Sequence, residues 1–127
     1  MSMVTADLRW FEAADGLRLR TRTWAAAGGP TVSVALLHGG VEHSGRYQHT
    51  AERLVASGFE VHALDQRSHG GSDRVRGVPL QIDRFDDLLD DTESWLRSLR
   101  RTGGERPLFV VAHSMGALIS LTLAARG

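Results

Sequence analysis

The spacing of apolar residues along the 127-residue chain changes period several times, and each change predicts an element. Leu8 to Ala14 and Leu17 to Trp24 flank an Asp15-Gly16 pair, which predicts a hairpin because both central turn residues must tolerate positive φ. In the second strand Leu17, Leu19, Thr21 and Thr23 alternate with Arg18, Arg20, Arg22 and Trp24, so this ribbon is expected at a sheet edge with one wet side. Thr31 to Leu37 is apolar on both faces, the pattern of a central strand covered by helices on each side. Tyr47, Ala51, Leu54 and Val55 fall at helical spacing within Arg46 to Ser57, with Gly58 placed as the stop, and Phe59 to Leu64 reads as the next strand.

Residues 65–81, DQRSHGGSDRVRGVPLQ, form a loop longer than most connections in compact domains and are therefore a candidate functional segment. Asp83 to Arg101 is the clearest helix: Phe85, Leu88, Leu89, Trp95, Leu96 and Leu99 form one stripe, with aspartates early and arginines late, as the helix dipole favours. Leu108 to Ala112 is another wholly apolar strand. In the helix that follows, Met115 to Arg126, the residues Met115, Leu118, Ile119, Leu121 and Leu123 are expected to be core on a helix buried all round. Strand alternating with helix implies an α/β fold with a parallel sheet.

Composition narrows the function classes. Fifteen basic residues balance fifteen acidic ones, so the charge footprint of a nucleic-acid binder is absent, and no nucleic-acid partner is expected. With no cysteine there is neither a disulfide framework nor a thiolate metal site. The six histidines show no H-E-x-x-H spacing, so no metal is expected. No G-x-G-x-x-G or Walker sequence occurs, and no cofactor is expected. The longest apolar runs fall far short of the roughly 20 residues of a membrane helix. MSMVTADLRW has neither the basic flank nor the apolar stretch of a secretory signal, so the expected location is cytoplasmic, with peripheral contact to membranes as an alternative.

Chemistry concentrates in two turns. Ser114 stands where an apolar strand meets an apolar helix, within Ala112-His113-Ser114-Met115-Gly116, the context of a nucleophile elbow that lifts a serine hydroxyl above the end of a sheet. Its simpler role would be the N-cap of the last helix. His38-Gly39-Gly40 follows the first central strand, and its backbone can turn an N–H toward the same end of the sheet. Equally, the glycines can serve only a permissive turn.

Three segments in order, HGGVEHSGRY (His38 to Tyr47), LDQRSHGGSD (Leu64 to Asp73) and AHSMGA (Ala112 to Ala117), resemble motifs of the α/β-hydrolase superfamily. Within it they are most similar to the monoacylglycerol lipase and lysophospholipase branch, grouped with the S33 serine aminopeptidases. The resemblance implies an α/β-hydrolase fold, N-terminal portion, with residues 1–127 as the N-terminal part of a single domain lacking lid and C-terminal strands. It implies Ser114 as nucleophile and the N–H groups of Gly40 and Met115 as oxyanion hole. For Glu42, His43 and Arg46 it implies substrate contact or a structural role near the polar end of the pocket. Ala112, Ser68 and Ala117 depart from the family pattern by replacing glycine, and each adds bulk near a tight turn.

In α/β-hydrolases the other triad members follow the serine, yet no Asp, Glu or His occurs after Ser114 in this sequence. The expected function is hydrolysis of lipid esters through an acyl-serine, inactive in this chain alone. Alternatives are a non-catalytic remnant or partner-binding module, or a peptidase or thioesterase of the same fold. Expected partners are a lipid ester substrate and either a complementary C-terminal hydrolase segment or a second copy paired through an open edge at the Leu108 to Ala112 strand.

Overall fold

The computed structural model describes residues 4–126. Five strands, β1 (Asp7–Glu12), β2 (Arg18–Trp24), β3 (Val32–Leu37), β4 (Phe59–Leu64) and β5 (Leu108–Ala112), form one sheet in the order β1-β2-β4-β3-β5. β3 pairs in parallel with both β4 and β5, whereas the β1–β2 hairpin adds antiparallel to β4. Three helices cover the sheet: α1 (Gln48–Ala56), α2 (Phe85–Gly103) and α3 (Met115–Arg126).

The continuous apolar run of β3 is explained by its position. Val34 and Leu36 face one way, into a core shared with Trp24, Val61, Ala63 and Ala51 of α1. Ala35 and Leu37 face the other way, into a core with Leu19, Leu64 and Trp95 of α2. Period-2 alternation thus fills two cores, one on each side of the sheet. A third cluster, Leu88, Leu89 and Ile119, joins α2 to α3.

Several boundaries and environments differ from the sequence expectation. The hairpin loop has three residues rather than two: Ala13 N–H bonds Leu17 O at 2.8 Å, Gly16 N–H bonds Ala13 O at 2.9 Å, and only Gly16 has positive φ, at 89°. Helix α1 starts at Gln48, because Ser44–Tyr47 is a 3-10 turn pinned where the Ser44 N–H and hydroxyl both donate to Asp65, at 2.7 and 2.6 Å. Helix α2 starts at Phe85, since Asp83 is held back by a fork to Arg76 at 2.6 and 2.9 Å.

The arginine side of β2 is not uniformly wet. Trp24 lies fully buried against α1 with its Nε1 donating to Gln48 at 2.9 Å, and Arg22 Nε donates to Ser44 Oγ at 2.9 Å. Nor is α3 buried all round. Leu118 is 56% and Leu121 69% exposed, and Phe109 on β5 is 58% exposed. The reason is β5's place at the rim: it has one strand neighbour, β3, so one side of α3 has nothing to pack against among the described residues.

Candidate active site

In an open α/β sheet, ligands bind beyond the carboxyl ends of the strands where the winding direction reverses. Here that reversal lies between β3, which leads to β4 on one side, and β5 on its other side. The turns after these two strands carry His38-Gly39-Gly40 and His113-Ser114-Met115.

The two turns pack closely against each other, tightly at Gly39 and with no room for a side chain at Gly116. His113 N–H continues the ladder to Leu37 O at 3.1 Å. A Cβ on Gly116 would stand 2.5 Å from Leu37 O and 2.7 Å from His38 O, inside any allowed contact. A Cβ on Gly39 would stand 3.1 Å from both Ser114 Cβ and His113 Nδ1. Between these close approaches Ser114 adopts φ 54°, in the left-handed region. An N-cap residue has extended φ/ψ and bonds a backbone N–H of the first turn. Ser114 has neither feature, as its hydroxyl has no hydrogen-bond partner among the described residues. The Ser114 hydroxyl therefore does not cap α3, although its carbonyl accepts the Leu118 N–H at 3.0 Å, and the residue sits on a sharp turn between β5 and α3.

Gly40 and Met115 are adjacent across the two turns: a Cβ on Gly40 would lie 3.9 Å from Met115 Sδ. Neither of their N–H groups finds an acceptor among the described residues. The Gly39 N–H, by contrast, is consumed by Glu42 Oε1 at 2.6 Å. Two unspent amides beside a solvent-facing hydroxyl can receive negative charge that develops on a carbonyl oxygen.

Glu42 organises this corner. Burial would raise its carboxyl, but hydrogen bonds from Tyr47, the Gly39 N–H and His113 outweigh that and hold it at about 2. Burial and the same carboxylate push the Tyr47 hydroxyl up to about 12. Arg46 Nη1 lies 3.3 Å from Glu42 Oε2 and His113 Nδ1 lies 3.5 Å from Glu42 Oε1, and these residues line a shallow pocket of about 260 Å³ with Tyr47 and Thr50. His43 does not join them; its Nδ1 accepts the Gly45 N–H at 3.0 Å and caps the 3-10 turn. Val41, which no sequence pattern singled out, is held at φ 61° and is 78% exposed at the lip of the loop.

Histidines near the serine are already engaged. His38 is buried, and burial lowers its pKa despite a bond to Gly39 O. Its Nδ1 lies 2.6 Å from that carbonyl while Nε2 accepts the Gln66 N–H at 2.9 Å, which assigns a neutral ring protonated on Nδ1. The His69 Nδ1 lies 2.9 Å from Arg67 O.

The long 65–81 segment is largely scaffold. Asp65 through His69 are buried, and Asp65 accepts from Ser44 and from the Gly71 N–H at 2.9 Å. Arg67 forks onto buried Asp91 of α2 at 2.7 and 2.9 Å and reaches Asp15 at 3.0 Å. The Asp91 hydrogen bond foremost raises the Arg67 pKa, while burial, only partly offset by Arg67, pushes the Asp91 carboxyl up. Ser68, one of the departures from glycine, sits at φ 65°. Its hydroxyl donates to Gln81 O at 2.7 Å and accepts the Val75 N–H at 3.0 Å, which compensates the backbone. Among the described residues no three His, Asp or Glu side chains converge to hold a metal.

The chain is 33% identical over 116 residues to a monoacylglycerol lipase of Mycolicibacterium smegmatis, covering 91% of this chain and 40% of that protein. It is 34% identical over 119 residues to human monoglyceride lipase, covering 94% and 38%. A solved lipase in its open form superposes with a TM-score of 0.84 at 27% identity, covering 96% of this chain and 40% of its own. The chain thus spans about two fifths of the length of these relatives. The family model described as serine aminopeptidase, S33, matches residues 28–127. With that match and an α/β-hydrolase sheet, the chain belongs to the S33 serine aminopeptidase family of α/β-hydrolases.

Proposed function

We propose that Ser114 is the nucleophile of a serine hydrolase acting on carboxylic esters of lipid alcohols. The observation that carries this is the left-handed Ser114 turn, φ 54°, jammed against Gly39 with the Gly40 and Met115 amides unspent beside it. Ser114 Oγ attacks the ester carbonyl and forms the C–O bond while a base takes its proton. The amides of Gly40 and Met115 hold the resulting oxyanion. Collapse expels the alcohol, which takes the proton from the same base, and leaves an acyl-serine. Water, deprotonated by that base, then releases the carboxylic acid and restores Ser114. The lipid alcohol is favoured by the monoacylglycerol lipases among the relatives.

The base and its orienting acid come from outside these residues. No Asp, Glu or His follows Ser114 in the sequence, His113 turns toward Glu42, and His38 and His69 are bonded elsewhere. A serine without its base keeps only a small residue of the full rate, with losses on the order of 10⁴- to 10⁶-fold. Fluorophosphonate labelling tests this. The 127-residue chain should label weakly alone and strongly when fused to the complementary segment of a monoacylglycerol lipase relative, with labelling lost in Ser114→Ala. Strong labelling of the chain alone would contradict the missing base; a folded, complemented chain that never labels would remove Ser114 from the role.

The exposed apolar rim of β5 favours a second reading, a module that binds a complementary hydrolase segment without catalysis. It differs in one measurable respect, since a stable complex would form with no ester hydrolysis in any assembly. A peptidase or thioesterase using the same elbow would label equally but prefer amide or thioester substrates.

A further inference from the structure

The β1–β2 hairpin carries an outward patch that the site at Ser114 does not use. Its register sets Leu8 opposite Arg22 and Trp10 opposite Arg20, with Arg18 next along the same face. The guanidinium groups of Arg18 and Arg20 lie over the Trp10 ring, 4.6 and 4.4 Å from its centroid. Leu8 and Trp10 are each 46% exposed. Arg18 shares Asp73 at 3.3 Å, but no carboxylate comes within ion-pair distance of Arg20 or Arg22 among the described residues. A shallow groove of about 330 Å³, lined by Val4, Ala6, Leu8, Arg22 and Gln48, continues the patch.

We propose that this face docks on an anionic lipid surface, with Leu8 and Trp10 entering the headgroup layer and Arg18, Arg20 and Arg22 pairing with lipid phosphates. An amphipathic aromatic ring and an aliphatic side chain flanked by arginines match a membrane interface, where the apolar parts sink and the cations stay level with the headgroups. Asp73 pairs with Arg18 and Glu12 stands opposite it at one end of the patch, so the charge complementarity comes chiefly from Arg20 and Arg22, which have no carboxylate within ion-pair distance among the described residues. Nucleic acid fits less well, because the whole chain is neutral and the patch offers one exposed ring rather than a series for stacking. The patch also has the right place on the sheet: Arg20 O accepts the Asp65 N–H at 2.9 Å, level with the end of β4 and so at the end where Ser114 stands. A docked hairpin would bring that turn toward the bilayer, a use that rests on the lipid-ester reading, although the binding itself does not.

Vesicle co-sedimentation of the 127-residue chain tests the proposal without any turnover. Vesicles of phosphatidylcholine with roughly one third phosphatidylglycerol should bind the chain, and pure phosphatidylcholine should bind it weakly. Trp24 and Trp95 are buried, so a blue shift of tryptophan emission on binding should come from Trp10 and vanish in Trp10→Phe. Arg18→Gln and Arg20→Gln should each weaken binding about fivefold and the double variant about thirtyfold. Arg100→Gln/Arg101→Gln on α2, with the same change in net charge, should leave it near wild type. Absence of anionic-vesicle binding, equal loss in the two double variants, or equal binding to a single-stranded oligonucleotide would each overturn the proposal. Because no step reads ester cleavage, a failure of the Ser114 labelling test leaves this result standing, and the reverse holds as well.

Discussion

Two serines of this chain sit in left-handed backbone at the same end of the sheet, Ser68 after β4 at φ 65° and Ser114 after β5 at φ 54°. Both backbones cost on the order of 1 kcal/mol or more relative to an ordinary conformation. At Ser68 the strain is offset locally, since its buried hydroxyl makes two hydrogen bonds and the surrounding segment is tied to β2, to the 3-10 turn at Ser44 and to α2. At Ser114 nothing offsets it in that way; the hydroxyl is exposed and has no hydrogen-bond partner among the described residues, and what holds the turn is the tight contact of Gly39 and Gly116 with their neighbours. Strain compensated by bonds to the side chain marks scaffold. Strain imposed from outside, with the side chain left free, marks a group kept available for chemistry.

The scaffold side of this contrast breaks most severely at Arg67. Arg67→Met leaves Asp91 buried on α2 without a partner and should destabilise by about 3–5 kcal/mol, read from the midpoint of urea unfolding. Arg67→Met combined with Asp91→Leu should recover most of the loss, because a well-packed apolar pair avoids the desolvation of both ions. If the single variant unfolds at the wild-type midpoint, the 65–81 segment is not anchored through this fork.

On the catalytic side the corresponding break is Gly116→Ala. Its Cβ would meet the Leu37 and His38 carbonyl oxygens at 2.5 and 2.7 Å, both backbone, so either α3 or the β3 turn must move. The expected cost is about 3 kcal/mol, at the upper end of overpacking penalties. Helix α3 has little to resist with. Its one fully buried large side chain, Ile119, contributes about 2 kcal/mol of burial, so loosening should be local, seen as faster amide exchange across β5 and α3 while β4 stays protected.

The same contrast explains what could be read from the chain. The apolar run of β3, the stripe of α2 from Leu88 onward and the strand–serine–helix junction are local patterns that appear where the spacing placed them, whereas Phe85 at the head of the stripe is 39% exposed. Trp24 on the arginine face and Leu118 and Leu121 on α3 went the other way, because periodicity reveals a face and not what lies opposite it. Arg67 with Asp91 are 24 positions apart, and the Glu42 bond to Gly39 leaves no mark in composition or spacing. Such long-range or side-chain-to-backbone ties form only when the turns are brought together. At the candidate site, the serine turn and the His-Gly-Gly turn were legible, whereas the use of His43 as a turn cap and the exposed strain at Val41 were not.

Acid should expose the next difference. Glu42 titrates near 2 in the folded chain against an ordinary value of 4.5, so it adds stability that is fully present above about pH 4.5 and is lost as pH falls toward 2. Glu42→Gln should therefore be less stable than wild type at neutral pH, with the gap closing across that window. Asp15, Asp73 and Asp83 are also held low, so both proteins will weaken in acid, and the informative quantity is the difference between them. A gap that stays constant with pH would mean that the carboxylate holds the Gly39 loop by shape rather than by charge.

The smallest effect separates the two serines themselves. Ser114→Gly removes a left-handed side chain that makes no hydrogen bond, so stability should rise by about 1 kcal/mol while any labelling at this position is lost. Ser68→Gly relieves similar strain but gives up the bonds to Gln81 O and from the Val75 N–H, each worth about 1 kcal/mol, so it should be neutral or destabilising. Thermal unfolding of the pair reads the sign directly. Opposite signs would show that the Ser114 hydroxyl is kept at the expense of stability, as a group held for reaction requires; a loss of stability at both positions would mean that the elbow is braced by its serine after all.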